Sequence, residues 1–277
     1  MTTRIVHFVF GLRQQDEPFH LLHYLAIESC RRVVQPDIIM LHLDQLPYGI
    51  YWDLARPLVE LHRIQLIHAV EMVPLDDFVA RYRYAHHSDV VRLDVLAEHG
   101  GMYADIDTIF VRPVRDDLWQ ADAVIGREAD VGDPETGMAV ASLSNALVMA
   151  QPDAPFIVEW RERIIDAMDG SWSAHSCGLA TKLAAEKPGD IHIEPQSSFA
   201  PFAHTPSGMA DLLERPLVPA QLDETFSVHL CAHLWWEQDR TDFARFSAAA
   251  ATENHIRSAA TPLAVAARPF LPDHGLF

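Results

Sequence analysis

The sequence has 277 residues, of which 49% are hydrophobic, enough for one large core or two closely joined lobes. Its formal net charge of −18 argues against a nucleic-acid-binding function and against a polybasic membrane contact. The apolar run at 5–10 is too short for a signal peptide or a membrane span, so we predict a cytoplasmic protein without a transmembrane segment. The three cysteines, Cys30, Cys177 and Cys231, are widely spaced and fit buried thiols rather than disulfides.

Apolar runs alternate with helical patterns along the chain, which predicts an α/β fold with a mainly parallel sheet flanked by helices. We predict strands at 5–10, 38–43 and 64–69, and helices at 18–34, 51–61, 154–169 and 175–187. Pro57 should kink the second helix or reset its start. From about residue 247 the chain becomes rich in alanine and then in proline. We therefore predict a single domain at 1–246, followed by a loosely held tail at 247–277.

A further helix is predicted just before residue 100. Ser88 can cap a helix that begins at Asp89, and Gly100 can end it in a left-handed conformation. Asp89 and Arg92 are three residues apart and therefore share one face of this helix. Taken alone, the two residues fit an acid favoured by the helix dipole and a solvated ion pair.

A pair of carboxylates, Asp105 and Asp107, follows the run Gly-Gly-Met-Tyr-Ala at 100–104. Two hard oxygen ligands suit Mn²⁺ or Mg²⁺ and leave coordination positions for water and phosphate. In an extended strand both acids would lie on one face, with Ile106 directed into the core. The pair would lie at the end of a strand, where open α/β sheets bind ligands. Asp-x-Asp alone is common in surface turns, and the residues before it favour a functional site here.

The succession Ser-Asp-x-x-Arg-Leu (88–93), Gly-Gly-x-Tyr (100–103) and Asp-x-Asp (105–107) resembles the core signature of the glycosyltransferases with a DXD sugar-binding region. This group includes initiation-specific mannosyltransferases, globoside galactosyltransferases and glucosylating toxins. Three further segments look like those of the family and occur in its order. They are an opening strand (4–11), an asparagine-containing strand (145–150) and a His/Trp element (228–236). The resemblance covers roughly residues 4–240. The chain looks like a soluble bacterial member of the family.

The resemblance implies a glycosyltransferase A-type fold, with 1–246 as a single catalytic domain. It implies an enzyme that moves a hexose from a nucleotide-diphosphate sugar to a glycan, lipid or small-molecule acceptor, as in polysaccharide biosynthesis. Mn²⁺ or Mg²⁺ would be the cofactor, and the anomeric configuration would be retained. The implied site residues are Asp105, Asp107 and His229 for the metal; Asp89, Arg92 and Asn145 for catalysis; and Phe10, Gly11, Asp89, Arg92, Tyr103, Asp105 and Trp236 for the donor. The sequence indicates no oligomeric state.

The histidines near the C-terminal element allow two interpretations. His229 and His233 are four residues apart, which could suit zinc on a helix, although residues 226–231 have the character of a strand. The resemblance makes His229 a third metal ligand or a phosphate contact, and His233 is the alternative residue for that position.

Two other classes of protein also fit parts of the sequence. Asp-x-Asp-x-Thr at 105–108 matches the opening motif of haloacid-dehalogenase-like phosphatases, in which Asp105 would be the nucleophile and Lys182 the lysine. That motif normally follows a strand near the start of the domain, whereas here a hundred residues precede it. A non-catalytic sugar-binding module is the third hypothesis, and the intact Asp105 and Asp107 argue against it.

Overall fold

The computed structural model describes residues 3–75, 77–132, 139–236, 246–248 and 251–273. Within this part of the chain a seven-stranded sheet forms the centre and a two-stranded sheet lies beside it. The strands are β1 (Ile5–Val9), β2 (Ile38–Leu43), β3 (Glu60–Arg63), β4 (Gly101–Ala104), β5 (Thr108–Phe110), β6 (Ala123–Gly132), β7 (Ala139–Ala150), β8 (His192–Glu194) and β9 (Ser227–His229). The strand order is β3-β2-β1-β4-β7-β6-β8 in the large sheet and β5-β9 in the small one.

Six of the seven strands in the large sheet point the same way. β1 is parallel to β2 and β4, β2 is parallel to β3, and β6 is parallel to β8. β7 is antiparallel to both of its neighbours, β4 and β6, and is therefore the one strand of this sheet that runs in the opposite direction. The sheet confirms the predicted α/β fold with mainly parallel strands.

Helices cover both faces of the large sheet. They are α1 (Leu21–Ser29), α2 (Ile50–Ala55), α3 (His68–Glu71), α4 (Asp77–Ala80), α5 (Arg83–His99), α6 (Asp116–Gln120), α7 (Pro155–Arg163), α8 (Leu179–Glu186), α9 (Gln196–Phe199), α10 (Pro206–Leu213), α11 (Glu253–Ser258) and α12 (Pro262–Ala267). Alternate residues of β1 face two separate cores, because successive side chains of a strand point to opposite faces. Phe8 packs with α1, α2, α10 and α12, whereas Val9 packs with α5, α7 and α8. In the part of the chain that the structure describes, no helix is long and apolar enough to cross a membrane.

Several predicted boundaries are wrong, each for a local reason. The third strand is β3, four residues upstream of the predicted apolar run at 64–69. β3 is an exposed edge strand, so hydrogen bonding to β2 sets its position in the sequence, and its residues show no run of buried apolar side chains. Helix α5 begins at Arg83 and not at Asp89, because His86 and His87 are buried and extend the helix backwards. Asp89 therefore lies in the second turn of the helix rather than at its start.

The C-terminal segment is not loosely held where the structure describes it. Helices α11 and α12 lie within residues 247–273, and the buried side chains of Ile256, Leu263 and Phe270 belong to the same core as Phe8. Alanines allow α12 to pack closely, and an alanine-rich composition was therefore a poor indicator of disorder. The division of the sequence into a domain at 1–246 and a tail at 247–277 stays a prediction.

A close approach of two backbones explains the glycine pair before the carboxylates. Gly101 has φ = +97°, a conformation that L-residues rarely adopt. A Cβ atom at this position would lie 2.4 Å from the carbonyl oxygen of Ile5 on the neighbouring strand. Glycine at 101 therefore lets β4 lie directly against β1, and this contact brings the residues that follow β4 to the same edge as the end of β1.

Three histidines form a hydrogen-bonded chain across β1, β2 and β3. His7 Nε2 lies 3.0 Å from the carbonyl oxygen of Gly100, which can only accept, so this nitrogen carries the proton. His7 Nδ1 then accepts from His42 Nε2 at 3.0 Å, and His42 Nδ1 accepts from His62 Nδ1 at 2.9 Å. Burial lowers the pKa of His7 to about 4 and that of His42 to about 3, so both rings are neutral in the folded protein.

We expect these buried histidines to make the protein sensitive to mild acid. An unfolded histidine titrates near ~6.5, whereas the folded pKa values are lower, so the unfolded state binds more protons as the pH falls. The free energy of unfolding should decrease between about pH 6.5 and 5, by up to ~1.4 kcal/mol per pH unit for each such residue. Urea unfolding across this range should show a shallower slope in His42→Phe, and an unchanged slope in His68→Asn, which alters an exposed histidine. Equal slopes in all three proteins would contradict the expectation.

Candidate active site

Asp105, Ile106 and Asp107 form a tight turn between β4 and β5, not the extended strand that we predicted. The Asp105 amide donates to the Ala146 carbonyl at 2.8 Å, and the Thr108 amide donates to the Asp105 carbonyl at 3.0 Å. The turn still directs both carboxylates to one place, and Ile106 packs against the core as expected. The predicted location after a strand of the parallel part of the sheet is confirmed.

The two-stranded sheet brings His229 to the carboxylates. β5 pairs with β9 so that Thr108 is opposite His229. His229 Nε2 lies 3.3 Å from Asp107 Oδ1 and 3.7 Å from Asp105 Oδ2. One ligand atom from each of these three residues lies within 4.8 Å of the other two. Within the described part of the chain they are the only such group of three or more His, Cys, Asp and Glu side chains.

Backbone contacts hold this triad in position. The Ala232 amide donates to Asp107 Oδ2 at 2.7 Å, and the Leu230 amide donates to the Asp107 carbonyl at 3.0 Å. His229 Nδ1 lies 3.5 Å from the Cys231 thiol, which leaves Nε2 directed at the carboxylates. The remaining oxygens of Asp105 and Asp107 can therefore act as ligands without rearrangement of the backbone.

The electrostatics of the triad favour a positive charge between the carboxylates. Burial raises the pKa of Asp105, and the charge of Asp107 adds to this shift. Burial also opposes ionisation of Asp107, but His229 and the Ala232 amide outweigh it and hold the pKa of Asp107 well below its usual range. Burial disfavours the charged form of His229, yet Cys231 and Asp107 raise the pKa of His229. The two carboxylates attract a cation, and together with the imidazole of His229 in its neutral form they are a donor set that fits Mn²⁺ or Mg²⁺.

The other predicted histidine lies at a different place. His233 is in a single 3₁₀ turn, Ala232–Leu234, and its ring stacks on Trp172 with centroids 4.9 Å apart. Because His229 ends a strand and His233 lies beyond a turn, the two residues do not share a helix face. The helical zinc pattern that their spacing allowed is therefore wrong, and the structure brings His229 rather than His233 to the carboxylates.

A buried ion pair lies next to the triad. Arg92 Nη2 contacts Asp89 Oδ1 at 2.8 Å and Asp105 Oδ1 at 3.5 Å, and the side chains of Arg92 and Asp89 are only 4% and 9% exposed. The pair is thus buried, and the solvated pair that the spacing alone suggested is wrong. Burial opposes the charge of Asp89, but Arg92 and His175 outweigh it and lower the pKa of Asp89.

The carboxylate of Asp89 is held by side chains from three parts of the chain. Asn145 Nδ2 donates to Asp89 Oδ1 at 2.7 Å, and His175 Nε2 lies 2.9 Å from Asp89 Oδ2. Arg92 also donates to the backbone carbonyl of Asn145. The predicted catalytic residues Asp89, Arg92 and Asn145 therefore form one network, in which His175 is a fourth member that the sequence did not indicate.

Tyr103 connects this network to the triad. Its hydroxyl donates to Asp105 Oδ1 at 2.6 Å and lies 2.8 Å from Ser88 Oγ. The guanidinium of Arg92 lies over the Tyr103 ring, 4.4 Å from the centroid. Burial raises the pKa of Tyr103, so its hydroxyl stays protonated and available as a donor. The predicted residue Tyr103 thus positions Asp105 through a hydrogen bond and contacts the guanidinium of Arg92 with the face of its ring.

The other predicted donor contacts lie around His23. The centroid of the Phe10 ring lies 4.8 Å from that of His23, and Trp236 stacks on His23 at 5.2 Å with an interplanar angle of 12°. Gly11 follows Phe10 with φ = +71°, and a Cβ at this position would lie 2.2 Å from the Gln45 carbonyl oxygen. The residue after β1 and Trp236 of the His/Trp element therefore both contact one histidine.

One cavity of about 710 Å³, within the usual range for ligand pockets, is lined by the triad, Asp89, Arg92, Asn145, Tyr103, Phe10, Gly11 and Trp236. Among the lining residues that the sequence did not indicate are His86, Trp172 and Cys177. Residues Ala174–Gly178, which bring Ser176 and Cys177 to the cavity and His175 to Asp89, form a π-helical segment, a feature often found at functional sites. All three cysteines are free thiols, as predicted.

The sequence is similar to one protein family and to one curated protein. The sequence profile of the family described as "Glycosyltransferase sugar-binding region containing DXD motif" matches residues 26–127. Glucan organizing enzyme 1 of Cryptococcus neoformans var. grubii is 31% identical over 201 residues, which are 70% of this chain and 52% of that protein. The chain therefore spans about half the length of this curated relative.

Solved structures with a similar arrangement include two glycosyltransferases. The galactosyltransferase LgtC, in complex with donor and acceptor sugar analogues, has a TM-score of 0.45 and 16% identity, with 87% of this chain and 92% of that one covered. The apo form of the glycosyltransferase GlyE of Streptococcus pneumoniae has a TM-score of 0.46 and 14% identity, with 89% and 57% covered.

The family match, together with the sheet and the position of the Asp-x-Asp turn, confirms the predicted resemblance to the glycosyltransferases with a DXD sugar-binding region. Over residues 26–127 the chain is thus similar to this family, and its sheet agrees with the α/β class of fold that we predicted.

We expect the Asp89–Arg92 pair to be important for stability as well as for the site. Asp89→Asn would leave the buried guanidinium without its main counter-charge and should lower the free energy of unfolding by about 3 kcal/mol or more. Asp94→Asn, five residues further along α5, removes the partner of Arg161 in an exposed pair and should cost less than about 1 kcal/mol. Urea unfolding at neutral pH measures both values, and equal losses would show that Asp89 is an ordinary surface acid.

Proposed function

We propose that the protein is a metal-dependent, retaining glycosyltransferase that moves a hexose from a nucleotide-diphosphate sugar to a glycan, lipid or small-molecule acceptor. The observation that carries this proposal is the convergence of Asp105, Asp107 and His229 within 4.8 Å, in the same cavity as the Asp89–Arg92 pair. The first group suits a cation and its diphosphate, and the second suits sugar hydroxyls. A role in polysaccharide biosynthesis in the cytoplasm is part of the same proposal.

Asp105, Asp107 and His229 would hold Mn²⁺ or Mg²⁺. When bound, such an ion would neutralise the negative charge that develops on the diphosphate leaving group. The rings of Phe10 and Trp236, which both contact His23, and the backbone of Gly11 would contact the nucleotide end of the donor. Tyr103 would keep Asp105 in place through its 2.6 Å hydrogen bond.

Asp89 would orient the donor sugar. Its two oxygens accept from Arg92, Asn145 and His175, which leaves capacity for a further hydrogen bond from a sugar hydroxyl. The same donors hold the carboxylate rigidly and stabilise its charge, so it is a poor candidate for a covalent nucleophile. A same-face mechanism, in which the leaving phosphate takes the proton of the acceptor, therefore agrees better with the site than a glycosyl-enzyme intermediate.

The phosphatase alternative finds less support. It requires a lysine close to Asp105, but Lys182 is 64% exposed and pairs with Glu186 on the surface of α8. No lysine is among the described residues that line the cavity. A thermal-shift panel of nucleotide-diphosphate sugars, with and without Mn²⁺, tests the proposal. A metal-dependent rise in melting temperature with at least one donor is expected, and release of phosphate from aryl phosphates without such a rise would overturn it.

Removing one carboxylate of the triad should abolish metal-dependent donor binding. Asp107→Asn keeps the size of the side chain but loses a hard anionic ligand, so the affinity for Mn²⁺ in isothermal titration calorimetry should fall by roughly tenfold or more. His229→Ala should weaken metal-dependent binding of the nucleoside diphosphate. Asp117→Asn changes an exposed acid that pairs with Arg115 and serves as the control. Unchanged Mn²⁺ affinity in both Asp105→Asn and Asp107→Asn would refute the metal site.

Asn145 should affect the rate more than the binding of the donor. Its amide holds Asp89 Oδ1 and lies where it can contact a sugar hydroxyl or the glycosidic oxygen. We expect Asn145→Ala to lower kcat by about tenfold or more with little change in the donor KM, because its contact would strengthen as the bond breaks. Steady-state kinetics with the donor from the thermal-shift panel measures both constants. Asn254→Ala, an exposed asparagine on α11, is the control; a change in KM alone would assign Asn145 to ground-state binding.

A further inference from the structure

The cavity contains an aromatic lobe that neither the family signature nor the proposed donor contacts explain. Four residues line it: Tyr82, His86, Trp172 and His233. The Trp172 ring stacks on His233 and meets the edge of Tyr82 at 5.6 Å, with an interplanar angle of 90°. Trp172 itself is only partly buried, so its ring offers apolar surface to the cavity. Aromatic surface of this kind suits the C–H face of a sugar ring, which is apolar and flat.

His86 supplies an unused polar group in the same lobe. Its side chain is 1% exposed, yet neither Nδ1 nor Nε2 has a hydrogen-bond partner. Buried polar atoms nearly always have a hydrogen-bond partner, so we expect a ligand or a bound water to pair with these two nitrogens. A neutral imidazole has one N–H donor and one acceptor nitrogen, which matches the capacity of hydroxyl groups both to donate and to accept. Burial lowers the pKa of His86 to about 4, which keeps the ring neutral.

The lobe lies beside the groups to which we assign the donor sugar and the metal. The His86 ring is 4.5 Å from the His175 ring, and His175 Nε2 is 2.9 Å from Asp89 Oδ2. On the other side of the lobe, His233 follows His229 of the triad by four residues and stacks on Trp172. A molecule bound against Trp172 and His86, whose ring centroids are 6.1 Å apart, would therefore be next to the place where the sugar–phosphate bond breaks.

The charges around the lobe indicate a neutral ligand. Six carboxylates, among them Asp89 and Glu128, line the same cavity against two arginines, Arg13 and Arg92, and the chain as a whole carries a formal charge of −18. An anionic sugar would be repelled by these carboxylates, whereas a neutral pyranose would not be.

We propose that the lobe formed by Tyr82, His86, Trp172 and His233 is the acceptor subsite and binds a neutral pyranoside, with its apolar face on Trp172 and a hydroxyl on His86. The proposal rests on the proposed glycosyltransferase function. It adds a class of acceptor, a neutral carbohydrate rather than an anionic sugar, and assigns Trp172 and His86 to its recognition.

Direct binding of simple sugars tests this subsite. Saturation-transfer NMR would measure binding of methyl α- and β-glycosides of glucose, galactose and mannose to the full chain with Mn²⁺ and the nucleoside diphosphate found in the thermal-shift panel. At least one glycoside should bind to the wild type. Trp172→Ala should weaken its binding by roughly tenfold, through loss of the stacking surface. His86→Phe keeps a buried ring but removes both nitrogens, and it should weaken binding to a similar extent.

Trp119→Ala is the matched control, since Trp119 is a partly buried tryptophan that packs on Arg4 away from the cavity. It should bind the glycoside as the wild type does. Near-ultraviolet circular dichroism would establish that each variant is folded, and a misfolded Trp172→Ala would leave His86→Phe as the deciding variant.

The outcomes separate this proposal from the proposed function. If no nucleotide-diphosphate sugar binds, the proposed function fails whatever the glycosides do. If the donor binds but the wild type binds no glycoside, or binds it equally well in Trp172→Ala and His86→Phe, the acceptor subsite is overturned. A parallel loss of donor-sugar affinity in both variants would also overturn it, because the lobe would then hold the donor sugar. Binding of methyl glucuronides in preference to the neutral glycosides would contradict the class of acceptor.

Discussion

The buried ion pair between Asp89 and Arg92 is the interaction on which the site depends. Both side chains are almost fully buried, so each needs its partner to offset the cost of desolvation. Arg92 also reaches Asp105 and the Asn145 carbonyl, whereas Asp89 holds Asn145 and His175. One pair thus connects α5, the Asp-x-Asp turn, β7 and the π-helical segment.

The metal triad completes this arrangement on the other side of Asp105. Asp105 accepts from Tyr103 and lies near both Arg92 and His229, so it belongs to the ion-pair network and to the triad at once. Its neighbour Asp107 accepts from the Ala232 amide and lies next to His229. The two acids of the motif are therefore not equivalent. Asp105 would link the Asp89–Arg92 network to a bound cation, and Asp107 would link the same cation to the segment that follows β9.

Local patterns were sufficient to predict the parts of the site that are close in sequence. Asp89 and Arg92 share a helix face because they are three residues apart, and Asp105 and Asp107 are one residue apart, so short motifs reveal both pairs. His229 was predicted only through the family resemblance. His175 and Trp172 could not be predicted, because their contacts with Asp89 and His233 join distant positions and leave no periodic signal. The pairing of β3 with β2 and the packing of α12 on the core also join distant positions. The edge strand β3 was therefore predicted four residues too late, and the packing of α12 was not predicted.

The small sheet of β5 and β9 makes the site depend on residues that are more than a hundred positions apart in the chain. Thr108 pairs with His229, and the Ala232 amide closes on Asp107. Closing so long a loop carries an entropic cost that only later contacts offset, so this pairing should form late in folding. During translation, the residues of the Asp-x-Asp turn and of the Asp89–Arg92 pair are synthesised long before those of β9. The nascent protein would thus remain without a complete cation site until its C-terminal third has been synthesised and folded back onto β5.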